Sequence, residues 1–595
     1  MAGLLLGTEQ VLDPSASLSF MPDDSNHHIS SAWRYWKSLG PKFSGSGRAR
    51  ACARRLGISN CLSTVFVKQR IIRQYLDDFS AAHSIYYFTK RPVILLTPAP
   101  ADILRSFASA LGGWNAIGPG SFRINLLILM AHASYVFLGF ARCLNGLSKT
   151  GMVVARMFFL RLKGLDSNVM GSTFIFSGHS GAGDSDPGKL SEVNFWKEVV
   201  GAAEANGEGR FSVLILNDSG MLTQTLSDGV FASSDIFTAG IHGSVKLCLS
   251  LLVTAVRLFV DAIKDGDFGG AADDMLCALA AGLLREFGPK RLITTNTLLR
   301  GCYLTEGASA AGIESAVLYY SSNNSQIPSS KDPFPEENPA LTLRSGDIHF
   351  SWNLRMSQWL IHKIGVSPNR LLLTGPVMFA SVSPFLIEKT FLKSGRRVNI
   401  GLFDVTPVSE LQAFRSGQGR GVYRREWCLA FFKDVVDACQ NVFGDDFILL
   451  LKFKRMLNPQ SHDMEYIQEL NKVLEPLRDR VVRLDPETNP WKVLSECDVT
   501  IGMPFTSMVE AGLWMGKLGC FYAPGFLPRD EHSQGVDCLA TLSELKVWLE
   551  QVRNAGVSDS TSNRNAHRKS SPAVLARALL MKVGIANEFS ANHRW

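Results

Sequence analysis

No two cysteines of this 595-residue chain stand in a CxxC spacing, although it contains eleven of them. A scattered, odd-numbered set excludes a disulfide framework and a cysteine zinc site, and it suits reduced thiols in a cytoplasm. Charge is also scarce, at 19% of residues against 46% apolar, so a disordered chain is excluded. The length exceeds what one core usefully serves, and two or more domains are expected. Met1 to Leu12 has no basic residue ahead of its short apolar run, so no secretory leader is expected there. Neither a helix-turn-helix, a zinc finger nor an RNP-like pattern is present, and nucleic acid is not an expected partner. No internal repeat is visible.

Acidic residues are missing altogether from Arg34 to Arg73, which holds Lys37, Lys42, Arg48, Arg50, Arg54, Arg55, Lys68 and Arg70. Trp33, Tyr35 and Trp36 are interleaved with the first cations. That mixture suits an anionic bilayer, where each nearby cation contributes about 1 kcal/mol, though a solvated basic face explains it equally. The whole chain carries a formal charge of +7. Ile124 to Ala141 has no charge at all and reaches the roughly 18 residues at which a membrane span is considered. Asn125, His132 and Ser134 interrupt it, and a buried helix is the first expectation, with interfacial or spanning insertion as alternatives.

What is present reads as alternating strands and helices, most legibly after residue 390. Strands are expected at Arg397 to Phe403, in "DFILLLKFK", "RVVRLD", "DVTIGM" and "LGCFY". Helices are expected at Arg425 to Phe443, in "MEYIQELNKVLEPL", "NPWKVLSEC" and "SMVEAGLWMG". Alternation at that pitch implies a parallel sheet covered on both faces. Earlier strand candidates begin at Pro92, Ser172, Phe211, Arg291, Ser315 and Arg370. The chain divides on this reading into a basic segment at 1–80, an α/β domain with helical insertions at 81–390, a Rossmann-like domain at 391–552, and a polar linker with a final helix around "AVLARALLMKV" at 553–595.

One stretch carries chemistry. In "IGMPFTSMVEAGLWMGK" a strand turns into a helix through Pro504, Phe505, Thr506 and Ser507. Ligands of an open α/β sheet bind beyond the carboxyl ends of its strands, and a helix N-terminus favours an anion such as a diphosphate. Ser507 as a plain N-cap needs no ligand. Glu510, three residues on, is either the second half of a capping box or an acceptor for ribose hydroxyls.

"CDVTIGMPFTSMVEAGLWMGKLGCFY" resembles the signature of the bacterial polysaccharide-biosynthesis family named for its Pro-Phe-Thr-Ser motif, and the similarity extends over about Arg370 to Pro524. The serine-x-x-acid step, then Gly516-Lys517 and a strand, is also similar to the nucleotide domain of GT-B enzymes, including CDP-glycerol glycerophosphotransferases and sugar-nucleotide 2-epimerases. The resemblance implies two Rossmann-like domains facing across a cleft, with the nucleotide-sugar donor held by the C-terminal one. It implies no cofactor and no metal; "DSD" at Asp184 to Asp186 reads as a flexible turn rather than a metal loop.

Cations for a leaving diphosphate are available in Lys452, Lys454 and Arg455, where alternation places the two lysines on one side. His462 lies just beyond, as a phosphate or ribose contact or as a bland surface histidine. An inverting transfer needs a base, and His179 in a glycine-rich turn, followed by Asp218, are the candidates from the N-terminal part. The expectation is a metal-independent glycosyltransferase that moves a sugar onto a surface polysaccharide or its lipid-linked precursor, in the cytoplasm or peripherally on the inner membrane face. A 2-epimerase-like isomerase and a non-catalytic assembly factor are the alternatives.

Overall fold

The computed structural model describes residues 122–162, 173–177, 192–205, 211–216, 224–227, 229–233, 244–265, 268–294, 302–319, 321, 346–377, 397–405, 407, 425–454, 464–486, 488–504, 506–524 and 536–555. The basic segment, the strand expected from Pro92, the boundary near 390 and the final helix lie outside them.

In chain order the first half runs α1 (Phe122–Leu162), β1 (Thr173–Ser177), α2 (Glu192–Ala205), β2 (Ser212–Leu216), β3 (Gln224–Ser227), β4 (Val230–Ser233), α3 (Val245–Asp265), α4 (Phe268–Phe287), β5 (Arg291–Thr294), α5 (Cys302–Ala311), β6 (Ser315–Leu318), β7 (Ile348–Ser351), α6 (Leu354–Trp359) and β8 (Leu371–Leu373). Its sheet has the order β3-β4-β2-β1-β5-β6-β7-β8, parallel except where β3 meets β4. Successive side chains of a strand face opposite ways. Phe174, Phe176, Val213 and Ile215 accordingly pack with α2 around Trp196. Ile175, Leu214 and Leu216 pack on the other face with α1, α3 and α4.

The second half runs β9 (Val398–Phe403), α7 (Arg425–Phe443), β10 (Phe447–Lys452), α8 (Met464–Leu474), β11 (Val481–Leu484), α9 (Pro490–Glu496), β12 (Val499–Gly502), α10 (Ser507–Trp514), β13 (Leu518–Tyr522), β14 (Asp537–Leu539) and α11 (Leu542–Ala555). Every pairing in it is parallel, in the order β11-β10-β9-β12-β13-β14. Counted from its own first strand that is 3-2-1-4-5-6, the doubly wound dinucleotide order, whose crevice opens at the switch point between the neighbouring strands β9 and β12. Ile400, Leu402, Leu449, Leu451, Val499 and Ile501 face α7, α8 and α11. Phe403 and Leu450 face α9 and α10.

That second cluster crosses into the first half. Val317, Tyr319, Trp352, Met356, Trp359 and Leu360 share it with Phe403, Trp491, Leu494 and Ala511. The contacts follow the carboxyl ends of β6, β7 and β8, so the two α/β halves face each other through those edges. Among the described residues no helix is long and apolar enough to cross a membrane, and α1, which contains Ile124 to Ala141, is no exception. α11 is a helix that the sequence reading passed over. A true capping box opens it: Thr541 Oγ1 accepts from the Glu544 amide at 3.2 Å, and Glu544 Oε2 accepts from the Thr541 amide at 3.0 Å.

Candidate functional site

The carboxyl edge of the second sheet is one row of residues. Register pairs Leu484 with Lys452, Lys452 with Phe403, Phe403 with Gly502, and Gly502 with Phe521. The Pro-Phe-Thr-Ser motif leaves this row directly after Gly502 and enters α10. Small residues seat that helix close to the strands. A Cβ on Gly512 would lie 2.9 Å from Thr500 Cγ2, and one on Gly502 would lie 2.7 Å from Val509 Cγ2. The motif helix is therefore held at a fixed depth beside the switch point between β9 and β12.

Thr506, not Ser507, is the N-cap of α10, and no side chain caps the helix. The Thr506 hydroxyl instead donates to the Met503 carbonyl at 2.5 Å, closing the turn that follows β12. The Ser507 hydroxyl is turned across to the first half, 2.7 Å from Ser321 Oγ just beyond β6. Pro504 is buried; Phe505 lies outside the described residues.

Glu510 does not close a capping box. Arg355 Nη2 donates to its Oε1 at 3.0 Å and Asn353 Nδ2 donates to its Oε2 at 2.9 Å. The two charged side chains are only 4% and 8% exposed. Asn353 is positioned because its Oδ1 simultaneously caps α6 through the Met356 amide. Tyr319 and Trp352 are fixed beside it by a bond from Trp352 Nε1 to the Tyr319 carbonyl at 2.7 Å. Next along the edge, Gly375 has φ +76, and a Cβ there would stand 3.0 Å from Trp514 Nε1. Ser321, Asn353, Arg355 and Gly375 thus meet α10 from three successive strand ends of the first half.

On the other side of the switch point, β10 ends at Lys452, so strand alternation does not continue to Lys454. Lys452 is buried and its Nζ donates to the Pro486 carbonyl at 2.6 Å, whereas Lys454 is exposed. Burial pushes the Lys452 amine down to about 8, with the nearby Asp404 and Asp485 carboxylates pulling the other way. Asp404, buried just past β9, accepts from the Lys454 amide at 3.1 Å and the Tyr466 hydroxyl at 3.4 Å. Burial, helped by that carboxylate, pushes the Tyr466 phenol well above its usual range.

The site therefore combines an uncapped helix N-terminus, a buried lysine and two hydroxyls, an arrangement able to receive an anionic group. Arg455, His462, His179 and Asp218 lie outside the described residues, although His179 and Asp218 follow soon after the carboxyl ends of β1 and β2. Among the described residues no group of three histidine, cysteine or acidic side chains could hold a metal; Asp184 to Asp186 lie outside them. Ser321, Asn353 and Arg355 were not singled out from sequence.

Residues 279–549 match the family described as polysaccharide biosynthesis PFTS motif protein. The resemblance read from the motif is borne out there, and it reaches further upstream than Arg370, into the first half. A search of curated proteins finds no match. Among solved structures the chain is similar to a putative UDP-N-acetylglucosamine 2-epimerase from Listeria monocytogenes, at 14% identity and TM-score 0.42, covering 71% of this chain and 98% of that one. It is also similar to the wall teichoic acid polymerase TagF, at 10% identity and TM-score 0.37, covering 77% and 99%. A glycosyltransferase from Rickettsia africae shows 12% identity and TM-score 0.38, covering 72% and 100%.

Proposed function

We propose that this chain is a glycosyltransferase of polysaccharide biosynthesis, which takes a sugar from a nucleotide-sugar donor at the carboxyl edge of β9, β10 and β12. The observation that carries the reading is the placing of the family motif between β12 and α10, beside β9, in a sheet of order 3-2-1-4-5-6. That is the crevice at which such sheets hold nucleotides. The first turn of α10 faces the diphosphate, with Ser507 beside it. Lys452, Lys454 and Arg455 supply positive charge as the glycosidic bond breaks and the nucleoside diphosphate leaves. His462 is the further candidate for a phosphate or ribose contact, and Pro504 and Thr506 shape the turn.

Glu510, already bonded by Arg355 and Asn353, acts in this proposal as the clamp that fixes α10 against the first half rather than as the ribose acceptor. His179 or Asp218, each following a strand of the first half, takes the proton of the acceptor hydroxyl. The acceptor is a surface polysaccharide or its lipid-linked precursor, and the protein works on the cytoplasmic face of an anionic membrane.

Isothermal titration of the full chain with UDP, CDP and GDP tests the donor site. Binding of at least one, weakened tenfold or more by Ser507→Ala without loss of fold, is expected. No binding of any nucleoside diphosphate defeats the proposal.

A further inference from the structure

We infer that the outer faces of α1 and α3 form a docking surface for an anionic lipid bilayer. A helix that is apolar all round is normally covered all round. α3 buries Cys248, Leu251, Ala255, Leu258 and Ala262 against the molecule. Its opposite side is apolar too: Leu249, Val253, Val256, Val260 and Ile263 follow each other at four- and three-residue steps, all exposed, Leu249 by 58% and Ile263 by 57%. α1 repeats the pattern. Cys143, Val153, Val154 and Met157 are buried while Phe137, Leu144, Met152 and Phe159 are exposed, Met152 by 62%. Phe140 of α1 and Phe259 of α3 touch at 6.1 Å between ring centroids, and both helices pack on α4, so the two exposed stripes lie on the outside of one helical layer.

Charge decides the occupant. Lys246, Arg257 and Lys264 stand within about 80° of the centre of the α3 stripe at 3.6 residues per turn, a flank from which long cations reach headgroups while their stems stay on apolar surface. Asp261 lies further round, at about 120°. In α1, Arg156 and Lys149 stand at about 80° and 100° to one side of the stripe's centre, with Arg142 further round at about 120°, and its 41 residues contain no aspartate or glutamate. An apolar stripe edged by cations and free of carboxylates suits an anionic interface, whereas two copies of this face meeting each other would oppose like charges.

The inference deepens the membrane part of the proposed function, on which it rests for its place in the reaction, and its residues are distinct from Arg34 to Arg73. The full chain is floated with vesicles of phosphatidylcholine alone or mixed with phosphatidylglycerol, and its mass is read by size exclusion with light scattering. Wild type is expected to float with the anionic vesicles, and Leu249→Glu/Val253→Glu/Val256→Glu to lose that binding tenfold or more. Leu249→Ser/Val253→Ser/Val256→Ser serves if the acidic variant does not fold, with a loss in the same direction. Wild type that ignores vesicles, stripe variants that bind unchanged, or a dimer that the variants split would each overturn the inference. So would loss of binding confined to Arg48→Glu/Arg50→Glu/Arg54→Glu/Arg55→Glu. Nucleotide titration on the same variants separates this outcome from failure of the donor site, since binding there is expected to be unchanged.

Discussion

Replacing Arg355 tests the clamp between the two halves. Arg355 and Glu510 are 4% and 8% exposed, with N–H···O contacts of 3.0 Å from Arg355 and 2.9 Å from Asn353. Taking away one partner of such a buried pair strands a carboxylate out of water and costs roughly 3–5 kcal/mol, while replacing both with apolar groups costs far less. At about 2–4 °C per kcal/mol for a domain of roughly 150–250 residues, Arg355→Met lowers the apparent melting midpoint by roughly 6–20 °C. The double variant Arg355→Met/Glu510→Leu recovers at least half of that loss. Thermal and urea unfolding of the four proteins in a double-mutant cycle give the coupling between the two sites. A single variant that behaves like an exposed pair, within about 1 kcal/mol of wild type, or a double variant whose loss is the sum of the singles, would rule out a buried clamp.

Between pH 8 and 10.5 an unfolded lysine still holds the proton that buried Lys452 has released, so stability rises with pH across that window by up to about 3 kcal/mol. Lys452→Met should flatten the rise in urea midpoints; an unchanged slope argues against the buried amine. Gly375→Ala should destabilise the chain by at least about 1 kcal/mol, since φ +76 is strained for alanine and the new Cβ meets the Trp514 ring; an unaltered midpoint would count against that packing. Thr541→Ala should cost about 1 kcal/mol through loss of the α11 cap, read by urea unfolding, and a neutral result would remove the capping box from the account.

Much of the second half was legible because strands buried on both faces read as unbroken apolar runs, as in "FILLLK" and "VTIG". Four strands lacked that signal. β3 and β14 break their few apolar residues with Gln224, Ser227 and Asp537, β4 holds only Val230 to Ala232 between Gly229 and Ser233, and β7 carries a buried histidine, His349, with Tyr319 Oη 2.9 Å from its Nδ1. The motif itself located the switch point, yet its spacing misled at Glu510. Ser507-x-x-Glu510 and Thr541-x-x-Glu544 share one pattern, and only the second closes on its own backbone. The first is drawn off by Arg355, 155 residues away in sequence, which no local spacing reveals. The sole local trace was Asn353, a good N-cap ahead of a short helix. Lys452 and Lys454 parted because the strand stops at the first of them.

The most direct test of the central claim is a mass-spectrometric screen of the purified full chain against a panel of nucleotide sugars, with and without a membrane extract carrying lipid-linked acceptors. One donor is expected to be consumed, with release of its nucleoside diphosphate, only when the extract is present, and Ser507→Ala is expected to slow this. Conversion of a donor to its 2-epimer without extract, or a panel left wholly untouched, would contradict it.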